Sequence, residues 1–76
     1  LPGAFAPRGL TLVKARLYAR AMADLDRALE LAPRDAVALY SRGLAKQQTG
    51  DAAGADADVA RAREIDPNIE RPVAGQ

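Results

Sequence analysis

Cysteine and histidine are both missing from this 76-residue chain. The first absence excludes a disulfide framework and thiolate metal sites. The second removes the commonest general base and the commonest metal ligand. Charge of one sign is missing too: eleven basic residues stand against ten acidic ones, a net charge of +1. That balance gives no argument for DNA, RNA or an anionic membrane surface as a partner. No apolar run approaches the ~20 residues needed to span a bilayer, and the first five residues lack the basic start of a signal peptide. A domain this small buries only ~60% of the surface its unfolded chain exposes, so its core is marginal.

What is present is a period. In residues 17–33 small and apolar side chains fall at Leu17, Ala21, Leu25, Ala28, Leu29 and Leu31, a helical stripe ended by Pro33. Moved on by 34 residues the skeleton returns: Ala21 becomes Ala55, Asp24 Asp58, Leu25 Val59, Arg27 Arg61, Ala28 Ala62, Glu30 Glu64 and Pro33 Pro67. The preceding segment repeats as well, Ala4, Arg8, Gly9 and Leu10 returning as Ala38, Arg42, Gly43 and Leu44. A period shared by both segments predicts an all-α fold of tandem helix–turn–helix repeats, with four helices.

The first helix is predicted from about Ala4 to Ala15, starting close to Pro7, whose missing N–H costs nothing in a first turn. Arg16 falls in the turn, where glycine suits a positive φ; a left-handed arginine would cost ~1–2 kcal/mol, the alternative being a turn of another geometry. The second helix covers about residues 17–31. Its charges, Arg20, Asp24, Asp26, Arg27 and Glu30, lie off the stripe and read as a solvated face, with Arg20–Asp24 and Asp24–Arg27 pairs worth ~0.2–0.5 kcal/mol each. Acid–base chemistry has no support there, since neither histidine nor metal-ligand spacing surrounds the acids. Asp35 is placed to cap a third helix over about 36–48, and Gly50-Asp51 to stop it and start a fourth over about 52–65. The recurrence of Gly9 as Gly43 inside helices predicts close approach of a neighbouring helix.

These residues resemble the tetratricopeptide repeat family. The match rests on Phe5, Gly9, Leu12, Tyr18, Ala21, Leu25, Ala28 and Pro33 in a first repeat over about 2–35. In a second, over about 36–69, it rests on Leu39, Gly43, Gly50, Ala55, Val59, Ala62 and Pro67, with an irregular tail over 70–76. Departures are Arg16 for the usual turn glycine, and Lys46 and Ala52 where large residues are usual, which predicts looser packing of the second repeat. The resemblance implies an antiparallel helix pair per repeat, stacked into an α-solenoid with a right-handed superhelical path, the first helix of each pair lining a concave groove. By position the groove residues are Ala6, Leu10, Val13 and Lys14, then Val37, Tyr40, Leu44, Gln47 and Gln48. The lysine–asparagine clamp by which some members hold a terminal carboxylate is absent, its places taken by Ala6, Leu10, Tyr40 and Ser41.

The function implied is a non-catalytic protein-interaction module without a cofactor, binding a protein or peptide, best an apolar or amphipathic helix. The alternative is a structural self-assembly unit. Leu10, Leu12 and Val13 give the first helix more apolar residues than one covered face requires, so a homodimer through that helix, or docking to a neighbouring domain, is expected. The fourth helix, with only Val59 and Ile65 as large apolar residues, suits the end of an array, with Ile69 and Val73 folding over what remains. A start at Leu1 rather than Met reads as a piece of a longer protein. Abundant alanine and arginine point to a GC-rich bacterial source, and the cytoplasm is favoured over the periplasm.

Overall fold

A computed structural model describes residues 4–70. Four α-helices follow one another, α1 (Phe5–Lys14), α2 (Tyr18–Leu31), α3 (Ala36–Gln48) and α4 (Ala52–Ile65), with no strand among the described residues. The expectations for Val73 and for the remainder of the tail lie outside the described residues. Pro7 occupies the third position of α1, where its absent N–H has no helical acceptor to miss. Both expected aspartate caps form: Asp35 accepts from the Ala38 N–H at 3.1 Å and Asp51 from the Gly54 N–H at 2.9 Å.

The two hairpin turns are one structure used twice. After α1 the Leu17 N–H donates to the Leu12 carbonyl and the Arg16 N–H to the Val13 carbonyl, each at 2.9 Å. After α3 the Asp51 N–H donates to Lys46 at 2.9 Å and the Gly50 N–H to Gln47 at 3.4 Å. This paired closure of a helix end needs a left-handed residue at its centre. Gly50 supplies φ +92° and Arg16 supplies φ +64°. The arginine therefore accepts the strained conformation rather than changing the turn.

Each turn folds its helices into an antiparallel pair. A Cβ on Gly9 would stand 2.6 Å from the Leu25 side chain, and one on Gly43 would stand 2.7 Å from Val59 and 3.2 Å from the Ala55 carbonyl. The glycines thus permit the close approach that their recurrence predicted. α3 contacts each of the other three helices, whereas α4 touches α3 alone. The main core is small-residue packing between α1, α2 and α3: Ala6, Val13, Ala21, Leu25, Ala28, Ala38 and Ala45 are buried, with Leu12, Met22, Leu29 and Leu44 packed against them.

The predicted stripe of α2 is shorter than expected. Leu17 and Leu31 are 44% and 48% exposed. Leu17 belongs to the turn, and Leu31 stands six residues from Leu25, about 120° round the helix and off the covered face. Leu10, Leu12 and Val13 do not form a free apolar end: Val13 is buried and the other two are half-buried, while the exposed residues of α1 are Pro7, Arg8, Thr11 and Lys14. Ser41 is wholly buried, and its hydroxyl has no hydrogen-bond partner among the described residues.

Arg16→Gly is expected to stabilise the domain by about 1 kcal/mol and Gly50→Ala to destabilise it by about 1 kcal/mol. A Cβ at position 50 meets nothing within 4 Å, so backbone strain alone is at issue. Urea denaturation followed by circular dichroism measures both, and an unchanged Arg16→Gly midpoint would refute the strain assignment. Ser41→Ala, which removes an unpaired hydroxyl, is expected to stabilise by about 1 kcal/mol in the same assay.

Candidate partner-docking surface

The candidate surface is built on α3, and α3 is held in place by charge. Within the first hairpin Arg8 grips Asp24 bidentately, Nε to Oδ2 at 2.6 Å and Nη2 to Oδ1 at 2.7 Å, with its guanidinium 5.6 Å above the Phe5 ring. Within the second, Arg42 grips Asp58 by the same two nitrogens at 2.8 and 3.0 Å. Arg42 then does what Arg8 does not: its Nη1 crosses to Asp26 of α2 at 3.0 Å, tying the second hairpin to the first. Lys46 adds a second cation to Asp58 at 2.9 Å.

These contacts correct the reading of Asp24 as part of a solvated face; Arg20, Asp26, Arg27 and Glu30 are exposed as expected. Asp24 and Asp58 are buried, and Asp24 pairs with Arg8 of α1 rather than with Arg20 or Arg27. Arg27 pairs with Glu30 at 3.4 Å, and its repeat equivalent Arg61 with Glu64 at 3.1 Å. Both of those pairs are exposed and contribute little. The hydrogen bonds from Arg8 hold the Asp24 carboxyl below the usual carboxylate range, outweighing its burial, and the charges of Arg8 and Arg20 add to this. Burial pushes the Asp58 carboxyl up, but the hydrogen bonds and charges of Arg42 and Lys46 together pull it further down. Arg42 is raised by the Asp58 hydrogen bond and, against its burial, by Asp26 as well.

With α3 so fixed, an open cleft of about 420 Å³ lies between α3 and α4. Leu44, Ala55, Val59 and Ala60 give it apolar walls; Tyr40, Gln47, Asp56, Arg63 and Glu70 bring polar groups to it. Arg63 and Glu70 form an ion pair there, which raises the arginine and lowers the carboxyl. Three expected groove residues, Tyr40, Leu44 and Gln47, therefore meet at one site. Val37, Gln48 and Lys14 are exposed elsewhere, and Leu10 is half-buried. Ala6 and Val13 are buried in the core, so neither presents a surface to a partner.

The reason is the period itself. Set back by 34 residues, Tyr40, Leu44 and Gln47 become Ala6, Leu10 and Val13, and Ala55 and Val59 become Ala21 and Leu25. In the first hairpin Ala6, Val13, Ala21 and Leu25 share a buried cluster with Ala38 and Ala45 of α3. Ala6, Val13, Ala21 and Leu25 are all buried, whereas of their counterparts Tyr40 and Val59 are half-buried, Gln47 is exposed and Ala55 alone is buried. The residues from α4 and beyond, Ala55, Asp56, Val59, Ala60, Arg63 and Glu70, were not among the expected groove residues; the signal for them was the same shift, applied to the α3-facing side of α2.

No protein-family model, no curated protein and no solved structure matches this chain.

Acid should loosen the α3 anchorage. Above the ordinary aspartate value of 3.8 both carboxylates are ionised in folded and unfolded chains, and the ion pairs contribute fully. Below it the unfolded chain takes up protons first, and the contribution is lost as pH falls through the lower folded values. The thermal midpoint is expected to fall between about pH 5 and about pH 2. Asp58→Asn should cost about 2 kcal/mol at neutral pH and flatten that acid limb. Circular-dichroism melts across the pH range test both; an acid limb unchanged in Asp58→Asn would remove Asp58 from the account.

Proposed function

We propose that this chain is a non-catalytic protein-interaction module that seats a partner helix in the cleft between α3 and α4. The observation that carries the reading is the equivalence just described: the cleft is lined by the 34-residue counterparts of the residues on which α3 itself lies. A surface of that shape accepts an amphipathic helix with small residues on its inner face, as α3 turns Ala38, Ser41 and Ala45 inward. The resemblance to tetratricopeptide repeats supports a binding role, since members of that family hold peptides or partner helices in a groove lined by the first helix of each pair.

The chemistry available supports a binding role over a catalytic one. The sequence contains no histidine or cysteine, and among the described residues no cluster of acids is placed to hold a metal ion. No described helix is long and apolar enough to cross a membrane. Tyr40 is the residue on which most of the binding free energy should rest, because its ring offers area at low entropic cost and its hydroxyl a polar tip.

The test is a titration with a synthetic peptide of residues 35–49, the α3 sequence with its cap. Backbone resonances of Leu44, Val59 and Ala60 should shift on binding, and Tyr40→Ala should weaken the peptide at least about fivefold without changing helicity. Saturable shifts confined to another face, or none at all, would overturn the reading.

A further inference from the structure

The cleft has a second reader within the same sequence. α1 stands where α3 stands in the repeat, so the face by which α3 sits on the first hairpin has a counterpart on α1. In α3 that face is Ala38, Ser41 and Ala45, none of which is exposed. Their counterparts are Ala4, which caps α1, and Pro7 and Thr11 on it, all exposed. The repeated arginine agrees. Arg42 spends Nε and Nη2 on its own hairpin and sends Nη1 to Asp26 of the preceding one. Arg8 spends the same two nitrogens on Asp24, and among the described residues its Nη1 has no acceptor. Its side chain is 61% exposed where that of Arg42 is 23%. The open cleft carries one more acid than base: Asp56, Glu70 and Arg63 line it, and Arg63 is paired with Glu70 while Asp56 forms no ion pair among the described residues.

We propose that the cleft takes α1 of a second copy of this chain, so that copies associate head to tail. The inference rests on the helix-docking reading of the cleft and names its occupant. The geometry is already realised once inside the molecule: the movement that carries the first hairpin onto the second, applied again, brings the α1 of another copy onto α3 and α4. Such an interface joins two different faces, so it propagates, into a ring where the rotation closes and into an open chain where it does not. One element of the internal interface is missing from the intermolecular one. The counterpart of Asp26 is Ala60, so Arg8 of the incoming copy finds no carboxylate at that position and has Asp56 one helical turn away. Association is therefore weak, with self-affinity between about 1 μM and about 1 mM.

That missing carboxylate makes the proposal testable in the whole chain. Sedimentation equilibrium of the 76-residue protein should show average mass rising with concentration. Ala60→Asp, which restores the counterpart of Asp26, should tighten association about two- to fivefold. Ala60→Arg should abolish it from the cleft side and Thr11→Arg from the α1 side; both positions are exposed, so circular-dichroism melts should be unchanged. Mixed together, these two monomeric variants should form a one-to-one heterodimer, because each keeps the face the other has lost. A wild-type monomer throughout the range, an Ala60→Asp variant that associates no better, or a mixture that stays monomeric would overturn the proposal. So would a monomer in which Val73 of the same chain gives nuclear Overhauser contacts to Tyr40 and Val59. Binding of the 35–49 peptide separates the two levels: with peptide bound and no self-association, helix docking stands and the second copy is wrong; with neither, both fall.

Discussion

The fold depends on a guanidinium clamped to an aspartate across each hairpin. Most of the buried apolar side chains are alanine, and among the described residues Leu25 is the largest apolar side chain that is fully enclosed. Faces so smooth give hydrophobic burial without direction, since the driving force follows area and not orientation. Neighbouring helices with methyl-sized contacts could slide by a turn at little cost. A bidentate arginine–carboxylate pair is directional in both distance and angle. Placed identically in the two hairpins, at Arg8–Asp24 and Arg42–Asp58, it selects one alignment of each helix pair. Replacing such a pair with apolar residues is often neutral for stability; in a core this smooth its contribution is to register. Arg42 extends the selection to the next level by reaching Asp26, so one side chain fixes the second hairpin and its position on the first.

The two repeats supply the supporting cation from opposite sides. In the first, Arg20 of α2 adds its charge near Asp24; its counterpart in the second repeat is Gly54. In the second, Lys46 of α3 binds Asp58 directly; its counterpart in the first is Leu12, which packs against the core. The position that departs from the family pattern at Lys46 is thus occupied by an ion pair with the lysine half-buried. The exchange leaves the second hairpin with less apolar packing and more charge, and α4 rests on α3 alone.

The helices, their aspartate caps and the close-packed glycines were legible in the sequence because each is a local matter of spacing, φ or side-chain size. The two central ion pairs were not, although all four of their residues were visible as members of the repeat. Charge pairing within a helix is sought three or four residues apart, and these partners stand sixteen apart on different helices. Their shared separation was the available clue, since an arginine and an aspartate that recur together keep one geometry. Which of the expected groove residues share a site was not legible, for a similar reason. Tyr40, Leu44 and Gln47 line the α3–α4 cleft, but Ala6 and Val13 occupy the same repeat positions beneath α3. Position within a repeat fixes which way a side chain points; whether anything covers it depends on the neighbouring repeat.

That dependence also explains why the ends came out differently from what composition implied. Leu10, Leu12 and Val13 make α1 look like an uncovered end, yet Leu12 and Val13 pack into the core and Leu10 is half-buried, leaving Pro7, Thr11 and an exposed Arg8 outside. Val59 and Leu44, unremarkable in an alanine-rich stretch, lie at the open cleft. If the α3–α4 cleft takes a helix as proposed, folding is coupled to binding. Such a helix would cover Tyr40, Leu44 and Val59, at the hairpin whose last helix rests on α3 alone. It therefore adds to the stability of α4 in proportion to the logarithm of its concentration over its dissociation constant. For a domain whose core is marginal by size alone, occupancy of that cleft and persistence of the last helix are two readings of one equilibrium.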